Sequence, residues 1–544
     1  MKKFLSLVLA LVMTMSLVTV SAGAKDFTDS GELSGEQYAE AVNVMSEMGI
    51  IDGYAGGDFR PQGTLTRQAA AKIIACMILG KPTVESLGTS AAPFKDVPAG
   101  SSFAGYIAFC VERGLIDGYA DGTFRPTGTL TGFAFLKMLL GALGYDSSIE
   151  GYTGPNWTVN VAGRAYEIGL TAGNDEFVGA QACTREQAAL YAVNTLKTTL
   201  VEYTDRGSEI TVNGAVISTA ASVPTYVTSS VYNQATSINA DRDNSGDYTV
   251  EFAERYQPDL TMDRDTDDFG RPSYTWAWKN RDIGTYVDYS LMVAEYTTGV
   301  SGRELYNVLT ASTIRNADLD VYVDGVEPDE ADTIDKSDLS RSNQDDVGVT
   351  DNGVLTQVFV DTDANDGDGL ITIASINTWL AQATANYSES KEYAPLKVFT
   401  GKGGANTTYN VDVEDVANVA DVADEAFYLV NISYKDSNRG EVVAIQDAEV
   451  MEDSTVTKWS SDDDLVVSKL TTDGTQYEAA AKAYYDDENL YAYDRDLLTD
   501  MSYNVYLDQY GYVIGVELYE GTMKYVFITG YDRNSSNLSI RTAT

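Results

Sequence analysis

The chain has 544 residues, a net charge of −44 and no histidine, and 44% of its residues are hydrophobic. This negative field excludes nucleic acid as a partner, and the missing histidines exclude Ser-His-Asp and Cys-His catalysis and histidine-bearing zinc sites. The three cysteines, Cys76, Cys110 and Cys183, cannot all pair within the chain, so we expect buried free thiols rather than a disulfide scaffold.

The first element along the chain is a predicted secretory signal peptide at residues 1–24. Lys2 and Lys3 precede an apolar run over residues 4–20, and Ala22-Gly23-Ala24 supply the small residues of a cleavage site. No later run approaches the roughly 18 apolar residues that a spanning helix needs. The mature protein is therefore expected to be secreted and to have no membrane contact.

Three similar segments follow, at residues 26–84, 93–146 and 151–203. In each one, apolar residues recur at helical spacing and stop at a glycine that can end a helix with positive φ. A polar loop with a phenylalanine comes next, and a threonine then caps a second helix. The glycines are Gly49, Gly114 and Gly169, and the threonines are Thr66, Thr131 and Thr184. Thr184 and Gln187 have the spacing of a capping box. Units this small are expected to pack together around a shared core.

The loops carry a combined motif. The first segment contains "GIIDGYAGGDFRPQGTLTRQAA" at 49–70 and the second contains "GLIDGYADGTFRPTGTLTGFAF" at 114–135, after Phe27-Thr28-Asp29 and Phe94-Lys95-Asp96 respectively. The third segment lacks the Phe-x-Asp start and two loop residues. This order of motifs after a signal peptide resembles the S-layer homology (SLH) domain family. The resemblance implies a pseudo-threefold helical bundle that docks non-covalently onto secondary polysaccharide of the bacterial cell wall. It also implies grooves between repeats that hold an acidic, pyruvylated sugar.

The residue chemistry agrees with an anionic sugar. Arg67 and Arg185 each follow a capping threonine, where backbone N–H groups favour an anion, and a guanidinium can hold a carboxylate with two bonds. An intramolecular salt bridge is the alternative. Asp29 and Asp96 are candidates to accept sugar hydroxyls or, alternatively, to cap the following helix. Three aromatic residues are candidate walls for a sugar ring, with core packing as the alternative: Tyr38, Phe103 and Trp157.

Gly132 stands where Arg67 and Arg185 stand in the other two segments. It removes the guanidinium and weakens the first helical turn by roughly 1 kcal/mol relative to alanine. The groove that depends on this position is therefore expected to be weak or inactive.

The C-terminal region, residues 204–544, is predicted to be β-rich and sandwich-like, which gives an α + β multidomain chain. It contains 23 basic and 61 acidic residues, whereas residues 25–203 contain 12 and 20. β-Branched and aromatic runs indicate strands at 320–326, 354–361, 426–433, 441–447, 503–508 and 525–531. A helix is expected near 301–312, where Ser301-x-x-Glu304 forms a capping box. The polar section at 233–282 is expected to hold long loops. Trp276 and Trp278 are predicted to pack within a strand, with a sugar site as the alternative.

A calcium site is one interpretation of "DTDANDGDGL" at 361–370. Asp361, Asp363 and Asn365 match positions 1, 3 and 5 of a calcium loop, but Asp366 replaces the glycine and Thr372 replaces the bidentate glutamate. An EF-hand is therefore not expected. A solvated hairpin turn is the favoured alternative to a calcium site.

Three functions fit these features. The first is an S-layer-like structural surface component, anchored through secondary cell-wall polysaccharide and capable of self-association. The second is an anchored adhesin or carbohydrate-binding protein. The third is an anchored polysaccharide-active enzyme, whose two carboxylates would need no histidine. Because no nucleophile elbow, phosphate loop or zinc spacing occurs, the first function is favoured and a catalytic role is not expected.

Overall fold

The computed structural model describes residues 27–519, with gaps at 88–91, 213–214, 220, 229–237, 239–248, 330–332, 401–407, 414–415, 417, 462–465, 486–487 and 490–500. The predicted signal peptide and the strand-like run at 525–531 lie outside the described residues. The remainder has a helical N-terminal region and a β-rich C-terminal part, as the sequence predicts.

The N-terminal region is built from helix pairs. Its helices are α1 (Glu36–Glu47), α2 (Arg67–Leu79), α3 (Lys81–Glu85), α4 (Ala104–Glu112), α5 (Gly132–Ala142), α6 (Trp157–Glu167) and α7 (Arg185–Leu196). Threonine caps begin α2, α5 and α7, and the capping box of Thr184 and Gln187 is present. The glycines that follow α1, α4 and α6 have φ of 69°, 68° and 74°. The predicted start and stop signals are confirmed.

The loops before α2, α5 and α7 bond to one another in a ring. The Leu65 N–H donates to the Cys183 carbonyl at 2.8 Å, Cys183 donates to Leu130 at 2.9 Å, and Leu130 donates back to Leu65 at 2.9 Å. Cys76, Cys110 and Cys183 are buried free thiols, as expected. Burial raises the pKa of the Cys183 thiol to about 12, so this thiol stays protonated and unreactive at neutral pH.

The hydrophobic core of the helices continues into residues 227–286. Helix α8 (Phe252–Tyr256) and an antiparallel sheet of β5 (Leu260–Thr266), β6 (Pro272–Trp278) and β7 (Arg281–Val287) lie in this stretch. The expectation of long loops is therefore wrong for residues 252–287. Trp276 is fully buried, and its indole N–H donates to Glu40 of α1 at 2.8 Å. Strand packing is thus confirmed for Trp276, and one core runs across the predicted domain boundary at residue 204.

The other described strands form several sheets. Two-stranded pairs join β1 (Val201–Glu202) to β4 (Thr225–Tyr226), β2 (Ser208–Val212) to β3 (Ala215–Thr219), and β20 (Tyr484–Tyr485) to β21 (Glu488–Asn489). A four-stranded sheet has the order β8 (Met292–Tyr296), β10 (Leu355–Asp361), β11 (Leu370–Ile376) and β9 (Asp318–Val323), with β11 and β9 parallel. The strands predicted at 320–326 and 354–361 correspond to β9 and β10.

Two five-stranded antiparallel sheets complete the C-terminal part. The first has the order β14 (Thr408–Asp412), β13 (Tyr393–Val398), β12 (Trp379–Ala383), β15 (Phe427–Ser433) and β16 (Glu441–Asp447). The second has β19 (Thr475–Glu478), β18 (Val467–Thr472), β17 (Glu449–Ser461), β22 (Met501–Leu507) and β23 (Val513–Leu518). Leu380 and Leu429 of the first sheet pack with Tyr506 and Ile514 of the second. Three further predicted strands correspond to β15, β16 and β22.

Helix α9 (Gly302–Asn316) packs on the four-stranded sheet through Leu305 and Leu309. The capping box predicted for it is present, because the Ser301 hydroxyl accepts from the Glu304 N–H and the Glu304 carboxylate accepts from the Ser301 N–H.

Removing this cap gives the first testable prediction. The variant Ser301→Ala leaves the Glu304 N–H without its side-chain acceptor, so we expect it to lower the free energy of unfolding by about 1 kcal/mol. Urea unfolding followed by circular dichroism measures the change. Ser301→Asp retains an acceptor and should stay close to the parent; equal stability of all three proteins would contradict the prediction.

Candidate functional site

Arg67 connects the first helix pair to the loop of the second. Its side chain leaves the first turn of α2, and its Nε and Nη2 donate to the carbonyls of Phe124 and Asp117 at 2.8 and 2.6 Å. The guanidinium carbon lies 5.0 Å from the centre of the Tyr119 ring. Arg67 thus bonds to backbone carbonyls, and among the described residues it forms no salt bridge.

Arg185 makes the equivalent contacts between the first turn of α7 and the loop of the first helix pair. Its Nε and Nη2 donate to the carbonyls of Phe59 and Asp52 at 2.8 and 2.9 Å, and its guanidinium carbon lies 4.9 Å from the Tyr54 ring centre. Partial burial lowers the pKa of both guanidinium groups, but arginine remains charged at neutral pH. Within the described part of the chain, neither Nη1 group makes a hydrogen bond.

A second arginine lies on each tyrosine. The guanidinium carbon of Arg125 is 3.8 Å from the Tyr119 ring centre, and that of Arg60 is 3.9 Å from the Tyr54 ring centre. We call Arg67, Tyr119 and Arg125 the first clamp. Arg185, Tyr54 and Arg60 form the second clamp. Tyr119 and Tyr54 are 41% and 43% exposed, so each clamp presents an aromatic ring to solvent between two positive charges.

Asp96 and Asp29 fold the clamp loops. The two carboxylate oxygens of Asp96 each accept one backbone N–H, from Phe124 and from Arg125, at 2.8 Å. Asp29 does the same for Phe59 and Arg60 at 2.7 Å. The bond from the Phe124 N–H lowers the pKa of the Asp96 carboxyl. These carboxylates accept backbone N–H groups of the loop and do not cap the following helix, whereas acceptance of sugar hydroxyls stays a prediction.

The bonds to aspartate also hold the outer arginine of each clamp in an unusual backbone conformation. Arg125 has φ of 56° and Arg60 has φ of 59°, in the left-handed region that non-glycine residues rarely adopt. Such strain persists where the surroundings enforce it, and it clusters at ligand sites. Each outer arginine also pairs with a carboxylate of its own loop, Asp121 for Arg125 and Asp58 for Arg60. A carboxylate ligand would compete with these exposed pairs.

The third loop differs from the other two at every clamp position. Gly132 replaces the inner arginine, Asn174 stands at the tyrosine position and is bonded to Tyr191, and Val178 replaces the outer arginine. The aromatic ring of Phe133 packs against Phe177, with ring centres 5.8 Å apart. A Cβ atom at Gly132 would lie only 3.1 Å from Phe177, so restoring the arginine requires the neighbours to shift.

The three candidate aromatic walls pack against the hydrophobic core. Tyr38 is 6% exposed and belongs to the core. Phe103 and Trp157 are partly buried against the same core, where Phe103 contacts Tyr106 and Trp157 contacts Phe133 edge to face. These positions favour core packing, which is the alternative that the sequence left open.

The exposed clamp tyrosines and the outer arginines were not predicted from the sequence. Their signal was present, since Gly-Tyr and Phe-Arg-Pro recur in the same register in the first two segments, where the third has Gly-Asn and Phe-Val-Gly. Residues that repeat only in the loops contacted by Arg67 and Arg185 are candidates for the same binding site as these arginines.

The proposed calcium loop forms a hairpin tip between β10 and β11. The Asp361 carboxylate accepts the Asp363 N–H at 3.1 Å, and the Asn365 amide donates to Asp318 at 3.0 Å. Among the described residues, no group of three or more acidic or cysteine side chains is placed to hold a metal ion. Calcium binding at this tip stays a prediction.

Comparison with known proteins gives a family for the clamp region. The model of the S-layer homology domain matches residues 26–71 and 93–136, which contain all of the first clamp and both tyrosine loops. These two segments are similar to S-layer homology domains. Because Arg185 lies outside the matched segments, a third repeat stays a prediction.

Three relatives that match parts of this chain have names that describe different roles. A surface layer protein of Brevibacillus choshinensis is 24% identical over 215 residues, or 39% of this chain and 18% of that protein. A cellulosome-anchoring protein of Acetivibrio thermocellus is 37% identical over 82 residues, covering 15% of this chain and 18% of that protein. An endoglucanase of a Bacillus species (strain KSM-635) is 36% identical over 110 residues, covering 19% of this chain and 12% of that protein. The matches span less than a fifth of each relative's length.

The S-layer homology domains and these similarities identify a secreted protein of the cell surface. No helix in the described residues has the length and apolar character needed to span a membrane.

Proposed function

We propose that this chain attaches non-covalently to an acidic, pyruvylated secondary cell-wall polysaccharide through its two clamps. The observation that carries the proposal is the repeated arrangement of an exposed tyrosine between two arginines. A sugar ring can contact the exposed edge of the tyrosine, while the two guanidinium groups can bind a carboxylate such as that of a pyruvyl ketal.

We further propose that the binding unit has three repeats in a pseudo-threefold bundle. Support comes from the ring of hydrogen bonds among Leu65, Leu130 and Cys183, and from the equivalent contacts of Arg67 and Arg185 with the loops that follow them in the ring. In this arrangement, two of the three grooves bind polysaccharide. The third groove, between Gly132 and the loop of Val178, contributes only to the fold.

The C-terminal β-rich region then acts as an S-layer-like structural component outside the wall. The name of the surface layer protein that this chain resembles supports this role. The acidity of residues 204–544, which hold 61 acidic residues against 23 basic ones, suits neutralisation by divalent cations during self-association.

The clamp tyrosines provide a direct test. The double variant Tyr54→Ala, Tyr119→Ala removes both exposed rings, and we expect the full chain to bind purified pyruvylated wall polysaccharide at least about tenfold more weakly. Tyr166→Ala is the matched control, because Tyr166 lies on α6 and is 82% exposed. Sedimentation with cell-wall sacculi and biolayer interferometry measure the binding.

Polysaccharide from which the pyruvyl groups have been removed by mild acid provides the second arm of this test. The parent chain should bind this polysaccharide more weakly, because the carboxylates of the pyruvyl groups are missing. Undiminished binding by the double tyrosine variant, with an unchanged melting curve, would contradict the clamp assignment. Equal binding to both polymers would contradict the anionic ligand.

A further inference from the structure

A cleft of about 440 Å³ lies where the helical region meets the sheet of β5, β6 and β7. The C-terminal ends of α1 and α2 line one side with Met48, Ile50 and Leu79. The end of α8 and the β6–β7 hairpin line the other with Tyr256 and Trp278. Volumes of this order hold small ligands, and such sites occur where domains meet.

The rim of this junction cleft is polar. Lys81, Glu85, Asp259 and Lys279 surround the apolar floor. Lys81 is held by Asp52, with an Nζ–Oδ1 distance of 2.9 Å. Lys279 is exposed, lies with its ammonium 5.0 Å from the Trp278 ring centre, and forms no salt bridge with any described carboxylate. An aromatic face beside an unpaired cation suits an anionic sugar in an otherwise acidic chain.

Lys279 also occupies a strained turn. Lys279 and Asn280 have φ of 53° and 60°, which defines a two-residue hairpin turn with both central residues in the left-handed region. Asparagine and glycine favour that region, whereas lysine does not. A lysine at this position therefore lowers the stability of the folded state, and strained backbone conformations of this kind cluster at ligand sites.

The junction cleft is adjacent to the second clamp. Ile50 of the cleft and Tyr54 of the clamp are four residues apart, so their Cα atoms are separated by at most about 14 Å. Asp52 connects the two sites directly, because its carboxylate holds Lys81 while its carbonyl accepts from Arg185. A short oligosaccharide can reach from one site to the other.

We infer that the junction cleft is an extension subsite that receives further anionic sugar residues of the polymer held by the second clamp. This inference rests on the proposed function of the clamps. Trp278 supplies an apolar face for a sugar ring, and Lys279 pairs with its carboxylate. The first clamp has no counterpart of this subsite among the described residues, since the cleft is built with residues of β6 and α8.

The test uses the full chain carrying Arg67→Ala and Tyr119→Ala, so that only the second clamp binds. The probes are a disaccharide and an octasaccharide fragment of the pyruvylated wall polysaccharide, measured by isothermal titration calorimetry. Lys279→Asn keeps a residue suited to the turn but removes the charge. We expect it to weaken octasaccharide binding about tenfold and to leave disaccharide binding unchanged.

Tryptophan fluorescence gives a second readout. The octasaccharide should change the emission of the parent and not that of Trp278→Phe, whereas the disaccharide should change neither. Disaccharide binding together with octasaccharide binding that Lys279→Asn leaves unaltered would overturn the subsite and leave the clamps in place. Failure of the parent chain to bind either fragment would overturn the proposed function itself.

Discussion

We expect the double variant Arg67→Ala, Arg185→Ala to lose measurable binding to pyruvylated wall polysaccharide, and each single variant to bind the polymer about a hundredfold more weakly. The reason is that both clamps of one chain can engage one polymer or neighbouring polymers. The second contact is then made at high effective concentration. Loss of either inner arginine removes that advantage, and loss of both removes the inner charged donor of each site.

A monovalent probe separates the two contributions. With the pyruvylated disaccharide, each single variant should keep the parent's dissociation constant while the stoichiometry falls from two to one. Arg164→Ala is the matched control, because the Arg164 guanidinium likewise contacts two groups, here the carboxylates of Glu150 and Glu167, but lies on α6 and belongs to neither clamp. A stoichiometry of two in either single variant would contradict the assignment of one site to each arginine.

Stability must be measured alongside binding, because each inner arginine also donates two hydrogen bonds to the neighbouring loop. Their loss is expected to cost about 1 kcal/mol per bond. The tyrosine variants, which leave these bonds in place, therefore serve as a second measure of each site.

The largest expected change in stability comes from Glu36→Gln. Glu36 begins α1 and is 5% exposed, and burial raises its pKa to about 7, although the nearby Arg271 partly opposes the shift. A carboxyl whose pKa is higher in the folded state stabilises the protein fully below its ordinary pKa near 4.5. This stability is lost as pH rises through about 7. At pH 8 the charged form costs about 2–3 kcal/mol.

Glutamine mimics the protonated carboxyl at every pH. We therefore expect Glu36→Gln to raise the free energy of unfolding at pH 8 by about 2–3 kcal/mol and to change it little at pH 5. Urea unfolding at both pH values, followed by tryptophan fluorescence, measures this. Glu112→Gln, at the exposed end of α4, is the control and should be neutral at both.

The surroundings of Glu36 explain the direction of this effect. Arg271 is fully buried, and its Nη2 lies 2.6 Å from Asp267. The Arg271–Asp267 pair is already neutral, so a charged Glu36 adds a buried negative charge near Asp267 and Glu40, which the hydrogen bond with Tyr289 offsets only in part. A loss of stability in Glu36→Gln at both pH values would show instead that Arg271 needs Glu36 as a charged partner.

Local signals predicted the helical part well. The threonine caps, the capping boxes and the terminal glycines depend on residues within one turn, so each can be identified from a few neighbouring positions. The clamps could be predicted only in part. Arg67 and Arg185 were identified from their place after a cap, but the tyrosines that they contact belong to other segments of the chain.

The sheet at residues 260–287 was missed for a different reason. "DRDTDDFGRP" at 263–272 has the composition of a solvated loop, because charged residues are rarely fully buried unless paired. Asp267 and Arg271 are buried as such a pair. The packing of α1 against β7, through the bond from Asn43 to Tyr286 at 2.9 Å, helps to bury the sheet next to this pair. That partnership spans 243 residues and has no local signature.

The contacts that join the loops determine the order in which the two clamps can form during secretion. The first clamp can assemble once residue 125 has crossed the membrane, but the contact of Arg185 with Asp52 closes a separation of 133 residues. As the chain emerges, the first clamp can therefore form before the second. If the clamps bind the wall as proposed, a chain that is cut or stalled before residue 185 would be held at a single clamp and released more readily than the full chain.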